Sequence, residues 1–398
     1  MKARATGMRG WGHTSFRSRI VVLLGGVFSA AACFAETSGG PLRLALPPEC
    51  YAVDGVATSL YYDNVVLTET PETYRFQVTC DIGKMEERRW TLTPSAADVG
   101  DHPLTVTVRG ADNQELGRAT MTLRVVPADA GRGRAIRLLI VGDSLTHATT
   151  YSNEIARLLS LPGNPSWSML GTHKPPAAAQ GVAHEGYGGW TWQRFASHYE
   201  PNPDGTYRKR SSPFVYAGPD GQPVLDLKRY FDEPCHGERP DFVTFLLGIN
   251  DCFGADPEDP AAVDARIDAM MVQAETLLAA FREAAPEAEL GICLTTPPNA
   301  REEGFQANYK GSYHRWGWKR IQHRLVQREI DRFQGREDER LFVVPTELNL
   351  DPLDGYPADN GVHPNEFGYQ QIGASIYAWL KARLEARDVS VSGARAGP

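Results

Sequence analysis

Four short blocks carry the side chains that acyl transfer needs. Gly142-Asp143-Ser144-Leu145 follows the apolar run Ile136–Val141, so a serine leaves the end of a buried strand close to the start of a helix. His184-Glu-Gly-Tyr187-Gly-Gly189-Trp190-Thr191 is a glycine-rich loop, whose backbone can approach a ligand and aim its N–H groups. Gly248-Ile-Asn250-Asp251 closes another apolar run, where an Asn amide can donate to a developing oxyanion. Asp359-Asn360-Gly-Val-His363-Pro364 precedes the last helical stretch and offers an imidazole as general base. Singly, each block has an ordinary explanation: a helix N-cap, a flexible loop, a strand-ending turn, a surface histidine. Together, in this order and each after a predicted strand, they supply a nucleophile, a base and oxyanion donors. The sequence contains no C-x-x-C pair and no H-E-x-x-H, so a zinc site has no support, and no cofactor is expected. The G-x-S-x-G elbow is also absent.

The elements around the blocks read as strand–helix alternation. Ile136–Val141, Trp167–Leu170, Phe242–Leu247, Leu290–Leu294 and Leu341–Val344 are short apolar runs suited to strands buried on both faces. Ser152–Leu159, Val263–Ala285, Lys319–Phe333 and Phe367–Arg387 are the helical candidates. This predicts a three-layer α/β/α domain over 135–388 with a parallel sheet, whose ligands bind beyond the carboxyl ends of the strands. Residues 36–127 differ. Tyr74–Val78, Trp90–Thr93, Leu104–Val108 and Met121–Val125 place apolar side chains two apart, and Ala111-Asp-Asn-Gln suits a hairpin turn. A small immunoglobulin-like β-sandwich is expected there, followed by a linker at 128–134. The tail at 389–398 is expected to be loose.

At this point the sequence resembles the SGNH (GDSL-like) hydrolases, named for their Ser, Gly, Asn and His. Gly142-Asp-Ser-Leu resembles the first block, Gly186-Tyr-Gly-Gly-Trp-Thr the second, Gly248-Ile-Asn-Asp the third and His363-Pro364 the last. The resemblance covers about 250 residues of the chain. It implies a flavodoxin-like fold, a Ser144–His363–Asp catalytic set, and an oxyanion hole of the Ser144 and Gly189 N–H groups with the Asn250 side chain. One position departs from the pattern. The family places Asp three residues before His, whereas here Asn360 stands there and Asp359 lies one residue earlier. Asp359 is the expected orienting acid, with a Ser–His dyad as the alternative.

Lys2, Arg4, Arg9, Arg17 and Arg19 precede the apolar run Ile20–Ala32, which predicts a secretory signal over 1–35 and a secreted or periplasmic protein. Cys33 is an alternative lipid-anchor site; the run is too short to span a bilayer. The 398 residues carry 41 basic and 49 acidic side chains, for a net charge of −8. Loss of the basic leader makes the rest more acidic still, which argues against nucleic acid as partner. Proximity in sequence favours Cys50–Cys80 and Cys235–Cys252 disulfides, with Cys293 a core thiol. Export, a β-domain and the resemblance together imply removal of O-acetyl groups from a carbohydrate. Tyr187 and Trp190 are expected to contact the sugar, and Tyr309, Tyr313, Trp316 and Trp318 lie near the same sheet edge. A lipase, arylesterase or thioesterase would use the same residues, and a non-catalytic surface protein is a more distant alternative.

Overall fold

The computed structural model describes residues 42–395; the basic and apolar opening of the chain, Cys33 included, lies outside them. Seven strands come first: β1 (Glu49–Val53), β2 (Thr58–Tyr61), β3 (Arg75–Thr79), β4 (Lys84–Met85), β5 (Arg89–Leu92), β6 (Gly100–Arg109) and β7 (Glu115–Val126), with helix α1 (Tyr62–Val65) after β2. They form a four-stranded sheet, β1-β7-β6-β3, and a three-stranded sheet, β2-β5-β4. Alternation drives this arrangement: Leu104, Val106 and Val108 of β6 and Met121, Leu123 and Val125 of β7 point into a core shared with Leu60 and Trp90 of the other sheet. The β6–β7 hairpin turns where expected, with Asn113 at φ 65° and its N–H donating to the Gly110 carbonyl at 3.0 Å. One pairing is not a hairpin, since β1 runs parallel to β7.

The second half is a parallel sheet. Strands β8 (Ala135–Gly142), β9 (Ser166–Leu170), β10 (Glu185–Gly186), β13 (Phe242–Leu246), β14 (Glu289–Cys293) and β15 (Leu341–Val344) pair in the order β10-β8-β13-β14-β15, with β9 also on β8. All five pairings are parallel. Between them, β11 (Val215–Ala217) and β12 (Pro223–Leu225) make a small separate hairpin. Every residue of β13, β14 and β15 is buried, as an apolar run covered on both faces requires. Helices α2 (Ser144–His147), α3 (Thr150–Leu159), α4 (Trp192–Ser197), α5 (Leu227–Asp232), α6 (Ile249–Cys252), α7 (Pro260–Ala284), α8 (Glu302–Tyr309), α9 (Arg315–Phe333), α10 (Thr346–Asn349) and α11 (Glu366–Arg395) connect the strands. Helix α7 starts at Pro260 because the Asp259 carboxylate accepts the Ala261 and Ala262 N–H groups, and proline at the first position needs no partner.

The segment 128–134, expected as a linker, is tied to helix α11: Lys381 Nζ donates to the Ala130 carbonyl at 2.5 Å, and Asp388 accepts the Gly131 N–H at 3.0 Å and Arg134 Nε at 2.6 Å. Helix α11 runs on past Asp388 to Arg395. The expected disulfides are absent, since all five described cysteines are free thiols. Cys252 Sγ packs at 4.0 Å from Met270 Sδ, whereas Cys50 and Cys80 share one core as separate thiols. Cys293 is buried in the core.

The N-terminal sheets also brace the segment that leads to His363. Asn64 Nδ2 donates to the Glu347 and Leu350 carbonyls at 2.8 and 2.9 Å. Arg88 reaches Asp351 at 3.1 Å and Asp354 at 2.6 Å. Asn365, two residues past His363, then closes on that segment, its N–H on the Gly355 carbonyl and its Nδ2 on the Asp354 carbonyl, both at 2.9 Å.

Candidate active site

All four blocks meet at the carboxyl edge of the parallel sheet. Ser144 is the first residue of α2, where the Asp143 carboxylate caps the helix by accepting the Leu145 N–H at 3.0 Å. At that position the Ser144 N–H has no acceptor within the helix. Ser144 Oγ lies 2.9 Å from His363 Nε2. On the other side of the ring, His363 Nδ1 lies 3.1 Å from Asn360 Oδ1.

The protonation of that imidazole follows from its neighbours. Asn360 Oδ1 also accepts the Val362 and His363 backbone N–H groups at 3.1 and 3.0 Å, so the atom facing the ring is an oxygen, not the NH2. An oxygen there requires the proton on Nδ1. Nε2 is left bare and accepts the Ser144 hydroxyl, the arrangement in which a serine can be deprotonated on attack. Burial alone holds His363 below the usual imidazole range. No carboxylate forms an ion pair with it among the described residues.

The acid expected at Asp359 is therefore corrected. Asp359 is exposed, and the position facing Nδ1 belongs to Asn360. What fixes the position is the turn: three N–H groups converge on one side-chain oxygen three residues before the histidine, and the residue one place earlier points out of that convergence. Asn299 completes the support, its Nδ2 donating to the Pro357 and Asn360 carbonyls at 2.8 and 2.9 Å and its N–H to Gly361 at 2.9 Å. Sequence reasoning passed over Asn299, although a polar residue that follows an apolar strand at the ligand-binding edge was a usable signal.

Two glycines shape the backbone around the expected oxyanion donors. Gly189 has φ +76°, a left-handed conformation, and is exposed at the mouth of the site. Gly248, at φ +131°, lets the chain turn from β13 into α6 while Thr295 Oγ1 stands only 2.6 Å from where a Cβ would lie. Asn250 follows, and its Nδ2 donates to the Trp190 carbonyl at 3.0 Å and to Asp143 Oδ2 at 3.2 Å. This amide thus ties the second block to the first, and an oxyanion seated here would share these hydrogens. Asp143 is fully buried, which pushes its carboxyl up to about 7; burial does the same to Asp251, which holds the Trp192 N–H at 3.1 Å.

Tyr187 and Trp190 are not sugar contacts. Both are 0% exposed. Their rings pack on each other at 4.6 Å, Trp190 also packs on Phe195 at 4.8 Å, and the Tyr187 hydroxyl donates to the buried Glu185. A glycine-rich loop has few side chains to hold it, and these two rings anchor it from below. Trp192 and Trp318 are core residues too, at 2% each. Tyr309 and Tyr313 are half-buried and pack on Phe253, three residues past Asn250, at 5.1 and 4.1 Å. Trp316 is half-buried as well, so of the aromatic candidates Tyr309, Tyr313 and Trp316 keep surface to spare.

Residues 140–371 match the GDSL-like Lipase/Acylhydrolase family. No curated protein matches the chain. Among solved structures it is similar to a carbohydrate esterase family 3 protein from Talaromyces cellulolyticus, at 18% identity and a TM-score of 0.38, covering 63% of this chain and 99% of that one. A carbohydrate acetylesterase from Sinorhizobium meliloti aligns at 14% identity and a TM-score of 0.36, over 62% and 99% of the two chains. An aryl esterase from M. smegmatis aligns at 14% identity and 0.35, over 62% and 99%.

Proposed function

Since the chain belongs to the GDSL-like lipase/acylhydrolase family, we propose that it is a serine esterase that works through an acyl-enzyme on Ser144. The observation that carries this reading is the 2.9 Å contact between Ser144 Oγ and the bare Nε2 of His363. Ser144 Oγ attacks the ester carbonyl carbon while its proton passes to Nε2. The carbonyl oxygen becomes an oxyanion, facing the N–H groups of Ser144 and Gly189 and the Asn250 amide. Collapse breaks the bond to the alcohol, which takes the proton from Nε2 and leaves acyl-Ser144. Water, deprotonated by the same nitrogen, repeats the sequence and frees the acid. On this reading the acyl group is acetyl and the alcohol a carbohydrate, with the half-buried Tyr309 and Tyr313 offering ring faces. The leader-like opening of the chain supports export. Acetate release from a panel of O-acetylated polysaccharides tests the substrate. Cleavage of long-chain esters with no acetate from any polysaccharide would overturn it in favour of a lipase.

Asn360 gives the site its pH behaviour. Its oxygen fixes the tautomer but brings no charge to stabilise the imidazolium formed during attack. The base acts only when neutral, and its pKa is lowered, so activity should persist to lower pH than an unperturbed imidazole allows and fall only below the lowered value. Asn360→Asp keeps the acceptor and adds a negative charge, which raises the His363 pKa and moves the acid limb of kcat/KM to higher pH. Asp359→Ala should leave turnover near wild type. An unmoved limb in Asn360→Asp, or a loss of several orders of magnitude in Asp359→Ala, would contradict the assignment.

A further inference from the structure

Arginine among the described residues is almost wholly committed to carboxylates. Among the described residues, every arginine from Arg43 to Arg387 forms an ion pair except Arg75, Arg194, Arg208, Arg210 and Arg266. Three of these exceptions, Arg194, Arg208 and Arg210, surround the oxyanion loop. The Arg194 guanidinium lies over the Trp190 ring at 4.7 Å, and its Nη2 donates to the Arg208 carbonyl at 2.9 Å. Arg210 lies over the Tyr187 ring at 4.6 Å. Arg208 folds over the Tyr207 ring at 5.6 Å, its Nε donating to the Tyr207 hydroxyl at 3.2 Å.

Tyr207 places this wall at the mouth. Its ring is 4.4 Å from that of His147, one helical turn past Ser144, and 3.5 Å from where a Cβ on Gly188 would lie. Arg194 also lines an open depression of about 400 Å³ with Thr191, Gln193, Ser197 and His198, directly after the oxyanion loop in the chain. The exposed Lys209 adds a further cation. Two carboxylates lie nearby without an ion pair to these arginines: Glu200, which accepts the Asn202 N–H at 3.0 Å and acts electrostatically on Arg194, and Asp204, which accepts the Thr206 N–H and hydroxyl at 2.9 and 2.7 Å and faces Lys209. Glu185 is buried behind Tyr187 and filled by the Thr172 N–H and the hydroxyls of Thr172, Tyr187 and Tyr230. A chain of net charge −8 thus keeps three arginines outside any ion pair around its oxyanion loop.

We propose that the ester substrate is an acidic glycan, whose anionic group is held by Arg194, Arg208 and Arg210 while the acyl group faces Ser144. This rests on the esterase reading above and adds the substrate's charge. Guanidinium recognises carboxylate and sulfate alike through paired N–H donors, so the structure assigns the anion and the substrates tell which kind. The purified full chain is assayed on O-acetylated polygalacturonate, O-acetylated sulfated galactan and neutral O-acetylated xylan, at low and high salt, with p-nitrophenyl acetate as reference. At low salt KM should be about tenfold lower for an acidic substrate than for xylan, and high salt should erase the difference. The double variant Arg208→Gln/Arg210→Gln should raise KM for the acidic substrate and leave its kcat in place. The salt dependence of the unaltered enzyme reports independently of whether that variant folds. Preference for the polygalacturonate identifies a carboxylate, and preference for the galactan a sulfate. Equal, salt-independent KM values with p-nitrophenyl acetate still cleaved would overturn the acidic-glycan assignment alone. No cleavage of any ester would overturn the esterase reading, and this inference with it.

Discussion

Ser144→Ala should abolish ester hydrolysis while the protein remains folded. The side chain is partly exposed at the first position of α2, and the helix is capped by Asp143, not by Ser144, so little structure depends on the hydroxyl. The proposed chemistry does depend on it, because among the described residues Ser144 Oγ is the oxygen that meets the bare His363 Nε2, at 2.9 Å. His363→Ala should be nearly as severe, and combining the two should cost little more, since nucleophile and base act as one unit. Losses of about 10⁴-fold or more in kcat are expected for each. Steady-state hydrolysis of p-nitrophenyl acetate, with circular dichroism to confirm folding, checks this. A folded Ser144→Ala protein that turns over at a tenth of the wild-type rate would exclude Ser144 as nucleophile.

The second large effect is expected at Asn250. Its amide joins the two blocks that flank the reacting carbon, through the Trp190 carbonyl and Asp143, and its hydrogens are the side-chain donors nearest the site of negative charge. Asn250→Ala should lower kcat by about 10²–10³, or roughly 3–4 kcal/mol, with little change in KM, because the oxyanion exists only in the transition state. A change confined to KM would make Asn250 a group that holds the ground-state substrate and would leave the oxyanion to the Ser144 and Gly189 N–H groups.

The parallel sheet was legible because each of its long strands is an apolar run flanked by helical periodicity. Leu290–Leu294 and Leu341–Val344 meet their observed strands within a residue. β10 was not, since two residues that pair only through their backbones leave no pattern in side-chain type. Ser144, His363 and Asn250, the residues proposed as nucleophile, base and oxyanion donor, come together because a strand end restricts where a side chain can go. Asp359 misled for a definite reason: the expectation followed charge, whereas the turn selects by position, and the oxygen that collects three N–H groups belongs to Asn360. Tyr187 and Trp190 misled in a related way. Aromatic rings beside a glycine loop suggest ligand contact, yet the loop needs buried anchors before it can present anything. The basic wall was invisible in the sequence, because Arg194 and Arg208–Arg210 come together only when the segment between them folds back over the loop.

The central claim is that Ser144 becomes covalently acylated. A fluorophosphonate ester mimics the tetrahedral state and traps an activated serine irreversibly, so intact-mass and peptide mass spectrometry of the treated protein read the claim directly. One adduct per chain is predicted, on the peptide containing Ser144, forming more slowly as pH falls through the His363 titration and absent in Ser144→Ala. An adduct on another residue, or an active enzyme that takes no label at Ser144, would contradict the account.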